Sequence, residues 1–122
     1  MQKSDQASGM KRSGMNCCQA VLCAFAEELN TDPAALKALG AGFGAGMGTA
    51  GATCGALCGA QMVCGMLGKP ASRQIYREFE QKCGATVCGD LKGVGTGKML
   101  CSCDDCVRNA AEIAEKVVSP MG

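Results

Sequence analysis

The stretch ATCGALCGAQMVCG, residues 52–65, sets three thiols among small and apolar residues with no charge between them. It lacks the strict alternation of a half-buried strand, and Gly68, Lys69 and Pro70 form a stop beyond it, so the spacing predicts a helix from about Thr53 to Leu67. Cys54 and Cys58, four apart, would share one face of that helix. The segment just upstream, GAGFGAGMGTAG (residues 40–51), is a poor helix by propensity. Such a sequence suits a turn, or backbone pressed against a neighbour or a cofactor. No charged residue occurs from Ala38 to Gly68. The repeated glycines interrupt that run where a membrane span needs ~20 apolar residues, so it reads as a buried, tightly packed hairpin.

Outward from this centre the patterns are helical. Cys18, Val21, Leu22, Phe25 and Leu29 follow helical spacing, which predicts a helix from about Met15 to Leu29 capped by Ser13 or Asn16. Asp32 and Pro33 open a second helix, with Leu36, Leu39 and Phe43 inward. Ser72 caps a helix that Gly84 closes, with Ile75, Phe79 and Cys83 on its inner face. The glycine-punctuated segment that follows allows one helical turn around Asp90 to Lys92. A last helix begins near Asp104, where Asp104 and Asp105 meet the positive end of the dipole. Its inner stripe is Val107, Ala110, Ala111, Ala114 and Val118. The expectation is an all-α fold: a single compact domain of about five helices with glycine-rich connections. Residues 1–12, polar and without period, read as a flexible N-terminal arm, and residues 13–122 as the cysteine-rich helical domain.

Composition narrows the chemistry. The 122 residues include one Tyr, three Phe and no Trp, so the core must use Leu, Val, Met, Ala and close backbone contact. A formal charge of +1 gives no electrostatic reason for a nucleic acid or anionic membrane partner. Eleven cysteines and a polar start without the apolar run of a secretory signal suggest a reducing, cytoplasmic setting. There, excess cysteine points to metal, cluster or redox chemistry rather than a disulfide frame. With no His in the chain, mixed Cys/His zinc sites, Rieske clusters, His-ligated haem and His-based catalytic pairs are excluded within it.

The cysteines form four groups: 17, 18 and 23; 54, 58 and 64; 83 and 88; 101, 103 and 106. Cys17, Cys54 and Cys106 are first-turn candidates, where free N–H groups favour the thiolate. Cys23, Cys58 and Cys64 read as apolar filling. CSCDDC, residues 101–106, crowds three sulfurs into a polar segment, which packing does not require. Two glycine patterns are set aside. GMGTAG (46–51) follows a helix where a dinucleotide fold needs a strand, and GVGTGKM (93–99) has the wrong spacing and Met99 in place of the magnesium-binding hydroxyl. The eight methionines read as filler in an aromatic-poor core rather than as copper ligands.

NCCQAVLCAF, GFGAGMGTAGATCGALCGAQMVCG, CGDLKG and CVRNAAEIAEKV together resemble, in order and spacing, the C_GCAxxG_C_C family of redox-active proteins. The central match is carried by Cys54, Gly55, Ala56 and Gly59. The resemblance implies a small helical redox protein whose four family cysteines correspond to Cys17, Cys54, Cys88 and Cys106, with Cys18 replacing Cys17 if the register slips by one. It extends to the non-haem part of split-Soret cytochromes, although no C-x-x-C-H is present for covalent haem. Four such thiolates suit an iron–sulfur cluster of [2Fe–2S] or [4Fe–4S] type and an electron-transfer role with a redox partner protein. The alternatives are a thiol–disulfide redox protein, with Cys54 or Cys106 as the attacking sulfur, and a non-catalytic zinc or soft-metal binding protein. Whether the chain is an enzyme stays open. Small-residue helix faces serve an internal core or a homodimer equally well.

Overall fold

The computed structural model describes residues 2–118. Residue 1 of the expected arm and residues 119–122 of the expected domain lie outside them. Among the described residues the chain forms eight α-helices and one π-type turn, Gly46–Ala50, with no sheet beyond a single antiparallel bridge between Thr53 and Val87. The helices are α1 (Lys3–Arg12), α2 (Cys17–Ala24), α3 (Ala26–Leu29), α4 (Pro33–Gly40), α5 (Gly55–Met66), α6 (Ser72–Cys83), α7 (Cys88–Lys92) and α8 (Cys103–Val118). The all-α expectation therefore holds, with more and shorter helices than the five anticipated.

The quoted stretch is the centre of the molecule. Helix α5 packs between α2 and α8, with α6 against α8 and α5, α4 against α2, and α1 laid across α8 and α2. The largest fully buried side chains are Phe25, Phe79, Leu22, Leu36, Leu57 and Ile75. They cannot fill an interior alone, and glycine closes the gap. An added Cβ at Gly59 would lie 2.9 Å from the Val21 Cβ and 3.1 Å from the Cys18 carbonyl oxygen, so α2 and α5 touch backbone to backbone there. Among the described residues no helix is long and apolar enough to cross a membrane. The uncharged run from Ala38 to Gly68 is not a buried hairpin either: it combines the end of α4, a largely exposed loop and the buried α5.

Three further expectations need correction. Residues 3–12 form helix α1 instead of a flexible arm. The anchors are polar and therefore invisible to a search for apolar period. Lys3 Nζ donates to the Ala24 carbonyl at the end of α2 (2.9 Å) and pairs with Glu28 (2.6 Å), Ser8 donates to Asp104, and Arg108 pairs with Asp5 (2.7 Å). Ala7, fully buried, supplies the apolar contact. The helix expected over 15–29 breaks at Phe25, whose N–H turns back to Leu22 at 3.1 Å, so that α2 and α3 are separate. Leu39, expected inward, is 47% exposed because α4 seats through Leu36 and through Gly40 against Gln19. Asp32 and Pro33 do open α4, with the Asp32 carboxylate accepting from the Ala34 N–H at 2.9 Å.

Candidate functional site

Four helix starts meet at one cavity of about 300 Å³ whose wall carries the sulfurs of Cys17, Cys54, Cys88 and Cys103. Cys17 is the first residue of α2, Cys88 of α7 and Cys103 of α8, while Cys54 stands immediately before α5. Local chemistry sets each of them. Asn16 accepts from the Gln19 N–H at 2.8 Å while Gln19 accepts from the Asn16 N–H at 2.9 Å, a capping box that fixes Cys17 as the first helical residue. The Asn16 amide also donates to the Gly40 carbonyl at 3.1 Å and so ties this helix start to the end of α4. Asn16→Ala should therefore lower stability by about 2 kcal/mol, at the upper end for a lost cap, read as a lower denaturant midpoint at unchanged slope.

Cys54 and Cys88 are held by the lone bridge. The Cys54 N–H donates to the Thr86 carbonyl (2.8 Å) and the Cys88 N–H to the Ala52 carbonyl (3.0 Å). Two segments distant in sequence thus bring their cysteines to the same wall. Cys103 follows Ser102, whose hydroxyl accepts from the Asp105 N–H at 3.1 Å and caps α8.

The glycine-rich loop forms part of the wall through Ala45 and Ala50. Ala45, Met47 and Ala50 sit in the left-handed region, at φ of 51°, 60° and 61°, where an L side chain costs roughly 1 kcal/mol. Tertiary contacts hold them there. A Cβ on Gly46 would lie 2.7 Å from the Cys88 Cβ, and one on Gly89 would lie 2.7 Å from the Ala50 carbonyl oxygen. Ala50→Gly should accordingly raise stability by about 0.5–1 kcal/mol in chemical denaturation.

Two cations face the sulfurs, since Lys11 and Lys92 also line the cavity. Lys92 Nζ donates to the Cys101 carbonyl at 3.1 Å and to Cys106 Sγ at 3.4 Å. Desolvation works against the Lys92 charge, but the neighbouring sulfurs of Cys106 and Cys103 outweigh it and hold the ammonium protonated. Burial, reinforced by the nearby sulfurs of Cys103 and Cys54, pushes the Cys17 thiol up to about 12. Contact with Cys106, then burial, raises Cys54 against the opposing pull of the Ala56 and Leu57 N–H groups. Burial and the Cys54 sulfur raise Cys88 as well. At neutral pH these thiols are protonated, and a bound metal would have to displace their protons.

Of the four cysteines expected from the sequence, Cys17, Cys54 and Cys88 stand on the cavity wall. Cys106 is fully buried behind it, next to Cys54. The cavity sulfur that sequence reasoning missed is Cys103. Its signal was the cap: like Cys17 after Asn16, it directly follows a capping residue. Cys18 faces away, with its sulfur 3.9 Å from the Met62 sulfur. Cys23 and Cys64 are buried and Cys58 is half-buried.

The spacing of the cavity sulfurs bears on what they can hold. No three of them have Sγ atoms within 4.8 Å of one another. Sulfurs bound to one ion at ~2.3 Å can be at most ~4.6 Å apart, so this set is too wide for a single zinc. A polynuclear cluster spreads its ligands around a larger core and does not require three sulfurs within that limit. Cys83, Cys101 and Cys106, by contrast, do lie within 4.8 Å of one another, close enough to hold a metal ion.

Fold and site together define a class: a small all-α, cysteine-rich protein whose helix starts converge on a thiol-lined cavity. The family model described as Putative redox-active protein (C_GCAxxG_C_C) matches residues 15–117, and the chain belongs to that family. Neither a curated protein nor a solved structure matches it.

Proposed function

We propose that the protein binds an iron–sulfur cluster in the cavity and passes electrons to a redox partner protein, with Cys17, Cys54, Cys88 and Cys103 as ligands. The observation that carries this reading is the convergence of four thiols from four helix starts at a spacing too wide for one ion. Cys106 takes a supporting place behind Cys54 in this reading, so Cys103 replaces it in the ligand set implied by the family resemblance. When bound, a cluster supplies one-electron transfer. The chain's own residues supply the rest. Lys11 and Lys92 offset the negative charge of the thiolates, and the loop carrying Ala45 and Ala50 forms one side of the cavity. All eleven cysteines are free, in keeping with a reducing, cytoplasmic setting.

A thiol–disulfide role finds less support, because contact with Cys106 and then burial raise Cys54, while at Cys106 the favourable contact with Cys54 is outweighed by Cys83 and burial, which push that thiol up to about 11. Anaerobic reconstitution with ferrous iron and sulfide tests the proposal. The expected product is coloured and carries iron and acid-labile sulfide in comparable amounts. A colourless protein with stoichiometric zinc, or a metal-free one with a single rapidly alkylated thiol, would overturn it.

A further inference from the structure

Cys83, Cys101 and Cys106 lie outside the cavity wall and are not among the proposed cluster ligands. Cys83 ends α6, Cys101 stands in the loop before α8, and Cys106 sits in the first turn of α8. They are 3%, 7% and 0% exposed, and their Sγ atoms lie within 4.8 Å of one another. Among the described residues no fourth Cys, Asp or Glu ligand atom shares that mutual distance. Two N–H donors are aimed at the group from outside it. The Asn109 amide reaches Cys83 Sγ at 3.4 Å, and Lys92 Nζ reaches Cys106 Sγ at 3.4 Å.

We propose that Cys83, Cys101 and Cys106 form a second metal site, separate from the cavity, that takes one copper(I) ion in three-coordinate, all-thiolate geometry. An ion ~2.3 Å from each of three sulfurs in a plane sets those sulfurs ~4.0 Å apart, which the group reaches with little contraction. Structural zinc is nearly always four-coordinate, and here a fourth ligand atom is lacking and burial leaves little room for water. Magnesium and calcium require oxygen, whereas all-sulfur ligation suits the soft copper(I) ion. Binding releases three thiol protons to solvent. Three thiolates, one copper(I) and the Lys92 ammonium leave a single net negative charge, and the Asn109 amide donates to one of the sulfurs that carry it. The two donors thus stand where outer partners orient and stabilise metal-bound thiolates.

The test titrates the full-length, metal-free protein anaerobically with copper(I) buffered by a coloured chelator. Cys17→Ser/Cys88→Ser, which alters only the cavity, should keep one tight equivalent of copper, with three sulfurs in its X-ray absorption spectrum. Cys83→Ser/Cys101→Ser should lose that equivalent while still assembling iron and sulfide, so failure here and failure of the cluster reading give different results. Asn109→Leu, which removes no ligand, should weaken copper binding by ~10-fold at unchanged helical content, and it keeps the test readable if the double variant does not fold. Unchanged copper affinity in the Cys83 and Asn109 variants, loss of the tight equivalent in the cavity variant, or four-coordinate zinc winning an equimolar competition would each overturn the proposal.

Discussion

Cys54→Ser is expected to abolish cluster assembly, lowering bound iron and sulfide by at least ~10-fold while the helical circular dichroism is retained. Cys54 is where the site is most connected. Its backbone is fixed by the Thr86 carbonyl at 2.8 Å, and its sulfur faces the cavity with Cys106 behind it. Serine keeps nearly the same shape but offers a hard, weakly acidic oxygen in place of a thiolate, so chemistry is lost with little packing cost. The comparison that decides the ligand set pairs Cys103→Ser with Cys106→Ser. If the cavity wall defines the ligands, Cys103→Ser loses the cluster and Cys106→Ser keeps it. The reverse outcome would return Cys106 to the set and remove the cavity wall as the guide.

Gly59→Ala should destabilise the fold by about 3 kcal/mol, against the ~0.5–1 kcal/mol that the same change gains in an exposed helix. The sign follows from contact. The new methyl would stand 2.9 Å from the Val21 Cβ and 3.1 Å from the Cys18 carbonyl oxygen, and the latter is main chain of α2 that cannot rotate away. For a chain of this size such a loss lowers the melting temperature by roughly 10 °C. Gly65, in the same helix, has open space where its Cβ would go, so Gly65→Ala should leave stability unchanged or raise it by about 0.5 kcal/mol. Equal effects at the two positions would show that α2 and α5 do not meet as closely as described. Gly55→Ala should act on fold and site together, because its methyl would meet the Phe43 carbonyl oxygen at 2.6 Å and Gly55 itself lines the cavity.

Helical class, the caps at Asn16 and Asp32, the stop at Gly84 and the inward faces of α6 and α8 were legible because they are local. Each depends on residues within one or two turns, and periodicity with capping chemistry records such relations directly. The three cavity cysteines at 17, 54 and 88 were legible in another way, through family resemblance, because the spacing between distant segments does not encode where they meet. Helix α1 was not legible. Its anchors, Lys3 to Ala24 and Glu28, Ser8 to Asp104 and Asp5 to Arg108, are polar contacts with residues at least 21 positions away.

By itself, then, the sequence determined that this protein is helical, aromatic-poor and dependent on sulfur for any metal chemistry, since composition and local period suffice for those properties. Only the tertiary structure decided which sulfurs share a cavity. Cys103 and Cys106 are three residues apart on one helix, yet one faces the cavity and the other lies buried against Cys54, Cys83 and Cys101. That division depends on how α8 is rotated against α5, and the rotation is set by the summed packing of α1, α5 and α6 around it.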